Sequence, residues 1–112
     1  MRPLEDDPGM RASILEIWAR GQERALQRAD VILRAVAALR AGTLDDAQRD
    51  EARGEAHRLA GALGSFGMPE GSEHARALEL ALTDAPDPAH ADDLGERAAA
   101  LRQVVVDGPT DL

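Results

Sequence analysis

The sequence predicts an all-α domain: an up-and-down antiparallel four-helix bundle built as a single domain from 112 residues. Three observations lead there. Alanine and leucine dominate, Trp18 and Phe66 are the only aromatic residues and tyrosine is absent, so helix formers abound where sheet formers are scarce. Apolar residues recur at three- and four-residue steps along most of the chain. Short breaks bearing glycine or proline separate those runs, and short connections make successive helices antiparallel neighbours.

The first helix is expected over residues 9–41, with Ile14, Ile17, Trp18, Ala25, Ile32, Leu33, Val36 and Leu39 on its apolar face. Gly21 falls on that face, which implies either a bend or a closely packed neighbour. Ala41 and Gly42 close this helix, and Thr43 is placed to cap the next, with Asp45 and Asp46 where the helix dipole favours negative charge. The second helix is expected over residues 44–66. Its core seam is Ala52, Ala56, Leu59, Leu63 and Phe66, spaced four, three, four, three. Gly67 and Met68 break the chain and Pro69 opens a third helix ending near Thr83. Asp87 then caps and Pro88 opens a fourth helix over residues 88–106, striped by Leu94, Ala98, Leu101 and Val105 and ended by Gly108 and Pro109. Residues 1–8 are expected to form a flexible leader and residues 107–112 a frayed tail.

Composition excludes several classes of function. Thirteen basic against twenty-one acidic residues give a net charge of −8, which repels nucleic-acid phosphates and anionic membrane surfaces. All thirteen basic residues are arginines. No apolar stretch approaches a bilayer span and no charged-then-apolar leader opens the sequence. The absence of cysteine removes disulfide, zinc-thiolate and thiol chemistry and makes a reducing cytoplasm the expected location.

The second helix carries one anomaly. At about 100° per residue, His57 lies opposite the apolar seam and faces water, and Gly54, Gly61 and Gly64 fall within about 60° of it. Each glycine inside a helix costs about 1 kcal/mol relative to alanine. Roughly 3 kcal/mol in total is substantial for a domain whose net stability is about 5–15 kcal/mol. A bare helix surface around an imidazole lets a large partner bring its own active site onto the ring, with Gly61, one turn on, the most important for that approach.

The segment Ala56-His57-Arg58-Leu59-Ala60-Gly61-Ala62-Leu63-Gly64-Ser65-Phe66-Gly67 resembles the signature of histidine-containing phosphotransfer (HPt) domains, roughly H-x-[LI]-K-G-[SAG]-x-x-x-[LF]-G. His57, Leu59, Gly61, Ala62, Phe66 and Gly67 match it, and Leu78-Glu79 stands where the family usually has Leu-Glu on the following helix. The stretch from Gly61 to Gly67 is most similar to the phosphotransfer domains of chemotaxis-type histidine kinases. The resemblance implies that His57 takes a phosphoryl group on Nε2 and passes it to or from a receiver-domain aspartate. A neutral imidazole nitrogen is a competent nucleophile for this near neutral pH. It further implies that Glu79 accepts a hydrogen bond from Nδ1 and so fixes the tautomer. One departure stands out: the family's lysine three residues after the histidine is Ala60 here. Arg53, one turn before His57 and nearly in line with Ala60, is the candidate to replace that charge, since guanidinium binds phosphate oxygens well. Arg58 points about 100° away.

The resemblance implies a bacterial two-component phosphorelay module, a phosphocarrier without an ATP site of its own rather than a free-standing catalyst. The expected partners are a response-regulator receiver domain, a histidine kinase, or both. Gly54, Ala60, Gly61 and Gly64 form the expected docking face, and the domain is expected to be monomeric. No cofactor is expected on this chain; Mg²⁺ belongs to the receiver. The alternative is an HPt-like adaptor or dimerisation module that is never phosphorylated, which Ala60 favours. His57, His74 and His90 lie on separate segments without a paired-ligand spacing, so no metal site is expected. His74 is expected to be partly buried and hydrogen-bonded, and His90 to lie at the surface.

Overall fold

Four amphipathic runs separated by short polar turns bury their apolar stripes by packing side by side in sequence order. The computed structural model describes residues 8–109. It contains α1 (Pro8–Ala41), α2 (Asp46–Ser65), α3 (Pro69–Thr83) and α4 (Ala91–Asp107), with a single 3-10 turn (Pro88–His90) before α4. No strand occurs among the described residues. Each helix packs on its neighbours in the chain and α4 closes the ring against α1, with no backbone approach across either diagonal. This is the expected up-and-down four-helix bundle.

Ile32, Leu59, Leu63, Leu78, Leu82, Leu101 and Val105 are its largest fully buried side chains. Four of the five residues of the expected α2 seam, Ala52, Ala56, Leu59 and Leu63, are buried, and Phe66 is half-buried. Phe66 meets Trp18 edge-to-face, ring centroids 5.1 Å apart, which pins the start of the packed part of α1 to the end of α2. Gly108 is buried beside the Trp18 indole, and the Gln22 amide donates to the carbonyls of Val105 and Val106, satisfying acceptors that the end of α4 would otherwise leave open.

Several local expectations need correction. Asp45 rather than Thr43 caps α2: its carboxylate accepts from the Gln48 backbone N–H while the Gln48 side chain accepts from the Asp45 N–H. Thr43 instead turns its hydroxyl back to the Ala38 carbonyl. Gly21 is exposed, with nothing within 4 Å of a Cβ placed there, so no close neighbour explains it. Ile17 is 57% exposed because burial along α1 begins only at Trp18, and the preceding turns run on past the end of the bundle. The fourth helix starts three residues later than expected, after the 3-10 turn at Pro88, and His90 is its N-cap residue. Pro8 already belongs to α1, and Asp107 closes α4 with Gly108 buried, so neither residue 8 nor residues 107–108 behave as leader or tail. Pro109 follows α4 outside any helix and is half-buried, and the remainder of the expected leader (1–7) and tail (110–112) lies outside the described residues.

The α2–α3 turn sets the geometry of the site. The Met68 N–H bonds to the Leu63 carbonyl and the Gly67 N–H to that of Gly64, a Schellman pattern that needs the left-handed backbone of Gly67 (φ 71°). Pro69 follows as the first residue of α3. Two residues later, Gly71 lets α3 approach closely: a Cβ there would lie 2.8 Å from both Leu63 and Val104 side chains. Gly71→Ala is therefore expected to destabilise the fold by about 1–3 kcal/mol through overpacking, read as a lower urea midpoint at unchanged m-value.

Candidate functional site

The imidazole of His57 projects from the middle of α2, with 73% of its side chain exposed. The burial of Ala56 and Leu59 on either side of it orients α2 so that position 57 faces outward. Its Nδ1 lies 2.9 Å from Glu79 Oε2 on α3. An ionised carboxylate can only accept, so Nδ1 carries the hydrogen of this bond and, in the neutral ring, Nε2 keeps a free lone pair. Glu79 is itself the more sheltered partner, 27% exposed, next to the fully buried Leu78.

A second rung fixes the register between the two helices. The buried Ser72 hydroxyl donates to the Ala60 carbonyl at 2.8 Å. Ser72 and Glu79, seven residues apart, share one row of α3, so the two bonds hold that row along the His57 flank of α2. Ala60 is consequently buried, 4% exposed, against α3. Its expected place on the docking face is corrected accordingly: at about 60° from His57 it falls on the side that α3 covers. Arg53 is half-buried and has no ion pair among the described residues. Arg58 is bound to Glu55 at 3.1 Å, and Glu55 also meets Arg28 of α1 at 3.4 Å.

Gly61 and Gly64 are exposed. A Cβ at Gly61 would meet nothing within 4 Å, and one at Gly64 only the Ser72 hydroxyl oxygen at 3.6 Å, an ordinary contact. The packing of this chain requires glycine at neither position. Gly54 is half-buried and overlain by the Arg58 guanidinium, 3.3 Å from a Cβ placed there.

Three residues around the site escaped the sequence reading. Ser72 sets the helix register, Arg76 stands between Ser72 and Glu79 in their row, and Leu80 is 76% exposed beside Glu79. The seven-residue spacing of Ser72 and Glu79 is the sequence signal that could have found the first two. His74 is half-buried, its Nδ1 3.2 Å from Arg97, and His90 is exposed. Among the described residues no group of three or more histidine, aspartate or glutamate side chains converges as a metal site, and no helix is long and apolar enough to cross a membrane.

Comparison with known proteins finds a family model and a relative, each covering most of the chain. The sequence model of the Hpt domain matches residues 15–106. Protein RcaC of Microchaete diplosiphon is 31% identical over 103 residues, 90% of this chain and 16% of RcaC. The chain thus spans about one sixth of the length of that relative. No solved structure matches it.

The hydrogen bond to Glu79 yields a direct test. Glu79→Ala is expected to abolish the bias toward the Nδ1–H tautomer of His57, seen as converging ring ¹⁵N shifts in long-range ¹H–¹⁵N spectra, without loss of helical signal. Glu79→Gln, which can still accept at its amide oxygen, is expected to keep most of the bias.

Proposed function

The chain belongs to the Hpt domain family, and from that premise we propose that it serves histidine phosphotransfer in a phosphorelay, with His57 as the phosphoacceptor exchanging its phosphoryl group with the aspartate of a receiver domain docked over α2 and α3. The observation that carries this reading is the exposed ring with its Nδ1 bound to Glu79 and its Nε2 free toward water. In the transfer, the Nε2 lone pair attacks the phosphorus of an aspartyl phosphate. The N–P bond forms as the P–O bond to the aspartate breaks, and the carboxylate leaves with the electron pair. The ring gains positive charge while Nδ1 keeps its hydrogen. Glu79, already aligned on that N–H, stabilises the charge without reorganisation. Passing the phosphoryl group on to an aspartate reverses these steps.

The receiver brings the Mg²⁺ that organises its own aspartate, and this chain acts as a monomeric cytoplasmic carrier. Gly61 and Gly64 leave backbone where side chains would hold the partner away, and the exposed Leu80 offers an apolar contact on α3. A non-phosphorylated adaptor is the competing reading, favoured by Ala60 in place of lysine. Incubation with a receiver charged by acetyl phosphate separates the two.

On the phosphocarrier reading, His57→Gln is expected to reduce acid-labile phosphorylation by a charged receiver to background while leaving the helical fold intact. Persisting label would refute the assignment, and an unlabelled wild-type protein would favour the adaptor. Gly61→Leu is expected to slow transfer by at least tenfold through steric exclusion while raising helix stability by about 0.8 kcal/mol. Both quantities come from one preparation, by phosphohistidine kinetics and urea titration; unimpaired transfer would show that close approach at Gly61 is not needed.

A further inference from the structure

Phosphorylation of His57 places a nearly doubly charged group beside the Glu79 carboxylate, in a chain that already carries −8 and has no lysine. A cation close to the phosphoryl oxygens would offset that charge, and with no lysine in the sequence arginine is its permanently charged source. Arg58 is directed away, its guanidinium bound to Glu55 and lying over Gly54. Position 60, one turn after the histidine, is a buried alanine.

The two rungs between α2 and α3 bring another arginine to this place. Ser72 bonds to Ala60 and lies in contact distance of Gly64, while Glu79 bonds to His57. Arg76 is one turn after Ser72 and one turn before Glu79, so its row of α3 runs along the flank of α2 that carries Ala60 and Gly64. Going around α3, Arg76 lies about 40° from Ser72 and about 60° from Glu79, on the side turned to water. It is exposed and has no ion pair among the described residues. The open space over Gly61 leaves room for its guanidinium above the backbone. Arg53 stands one turn to the other side of His57 on α2.

We propose that Arg76, reaching from α3 over the small residues Ala60 and Gly64, binds the phosphoryl oxygens on His57, with Arg53 closing the opposite side. This rests on the reading of His57 as phosphoacceptor and assigns to α3 the positive charge that α2 lacks at position 60. Guanidinium suits the task, because its paired N–H groups match two phosphoryl oxygens while the ring remains held by Glu79.

The test uses potassium phosphoramidate, which phosphorylates accessible histidine without a partner protein, on wild type, Arg76→Ala and Arg76→Lys. In ³¹P NMR titrations the second ionisation of the phosphohistidine is expected about half a unit higher in Arg76→Ala than in wild type, with Arg76→Lys restoring most of the difference. Transfer from a receiver charged by acetyl phosphate is expected to fall about three- to tenfold in Arg76→Ala at unchanged thermal stability. An unmoved ³¹P titration overturns the proposal whether or not transfer slows, since slower transfer alone would place Arg76 in docking, and the phosphoacceptor reading then stands. Failure of wild type to be labelled on His57 by either donor overturns both.

Discussion

The hydrogen bond between His57 and Glu79 is the constraint on which the site depends, and it exists only because α2 and α3 run antiparallel in one register. A slip of one helical turn would move Glu79 by about 5.4 Å along α3 and leave Nδ1 without its acceptor. The chain holds that register at three points: the Schellman turn through Gly67, the buried Ser72–Ala60 bond, and the close approach that Gly71 permits against Leu63 and Val104. Their combined effect is to leave Nε2 as the free nitrogen of a ring that is exposed on α2 yet fixed in orientation from α3.

The glycines divide according to what demands them. At Gly71 a side chain would collide with the buried Leu63 and the half-buried Val104, so the packing of the protein accounts for it. At Gly61 and Gly64 nothing among the described residues stands in the way of a methyl group. Alanine there would favour the helix by about 1 kcal/mol at each position. A local rule broken without any internal reason is the pattern expected where a surface is shaped for something outside the chain. The phosphocarrier reading supplies that reason in the approach of a receiver.

Much of the fold was legible because the seam residues Ala52, Ala56, Leu59 and Leu63 repeat with the period of one helix face, and because Gly67-Met68-Pro69 punctuates the chain where the backbone must reverse. Cap choice was less legible. Thr43 and Asp45 are both good cap residues, and the capping box with Gln48 decides between them. Gly21 and Ile17 were assigned to the packed face of α1 because periodicity cannot tell where along a helix its neighbours end. At the site, the outward direction of His57 followed from the wheel of α2 alone, whereas the burial of Ala60 depends on which flank α3 covers.

The amino-acid sequence alone determined the helical class, the order of the helices and their boundaries to within about three residues, and the exposure of His57, since each follows from composition and from a period contained in one segment. Its resemblance to the HPt signature singled out His57 and Glu79 as a pair. Tertiary structure decided their 2.9 Å separation, the burial of Ala60, the exposure of Arg76 and the openness above Gly61. The reason is physical: these are relations between two helices, set by the register and rotation at which side chains from both interlock, and no periodicity within one helix encodes the position of the other.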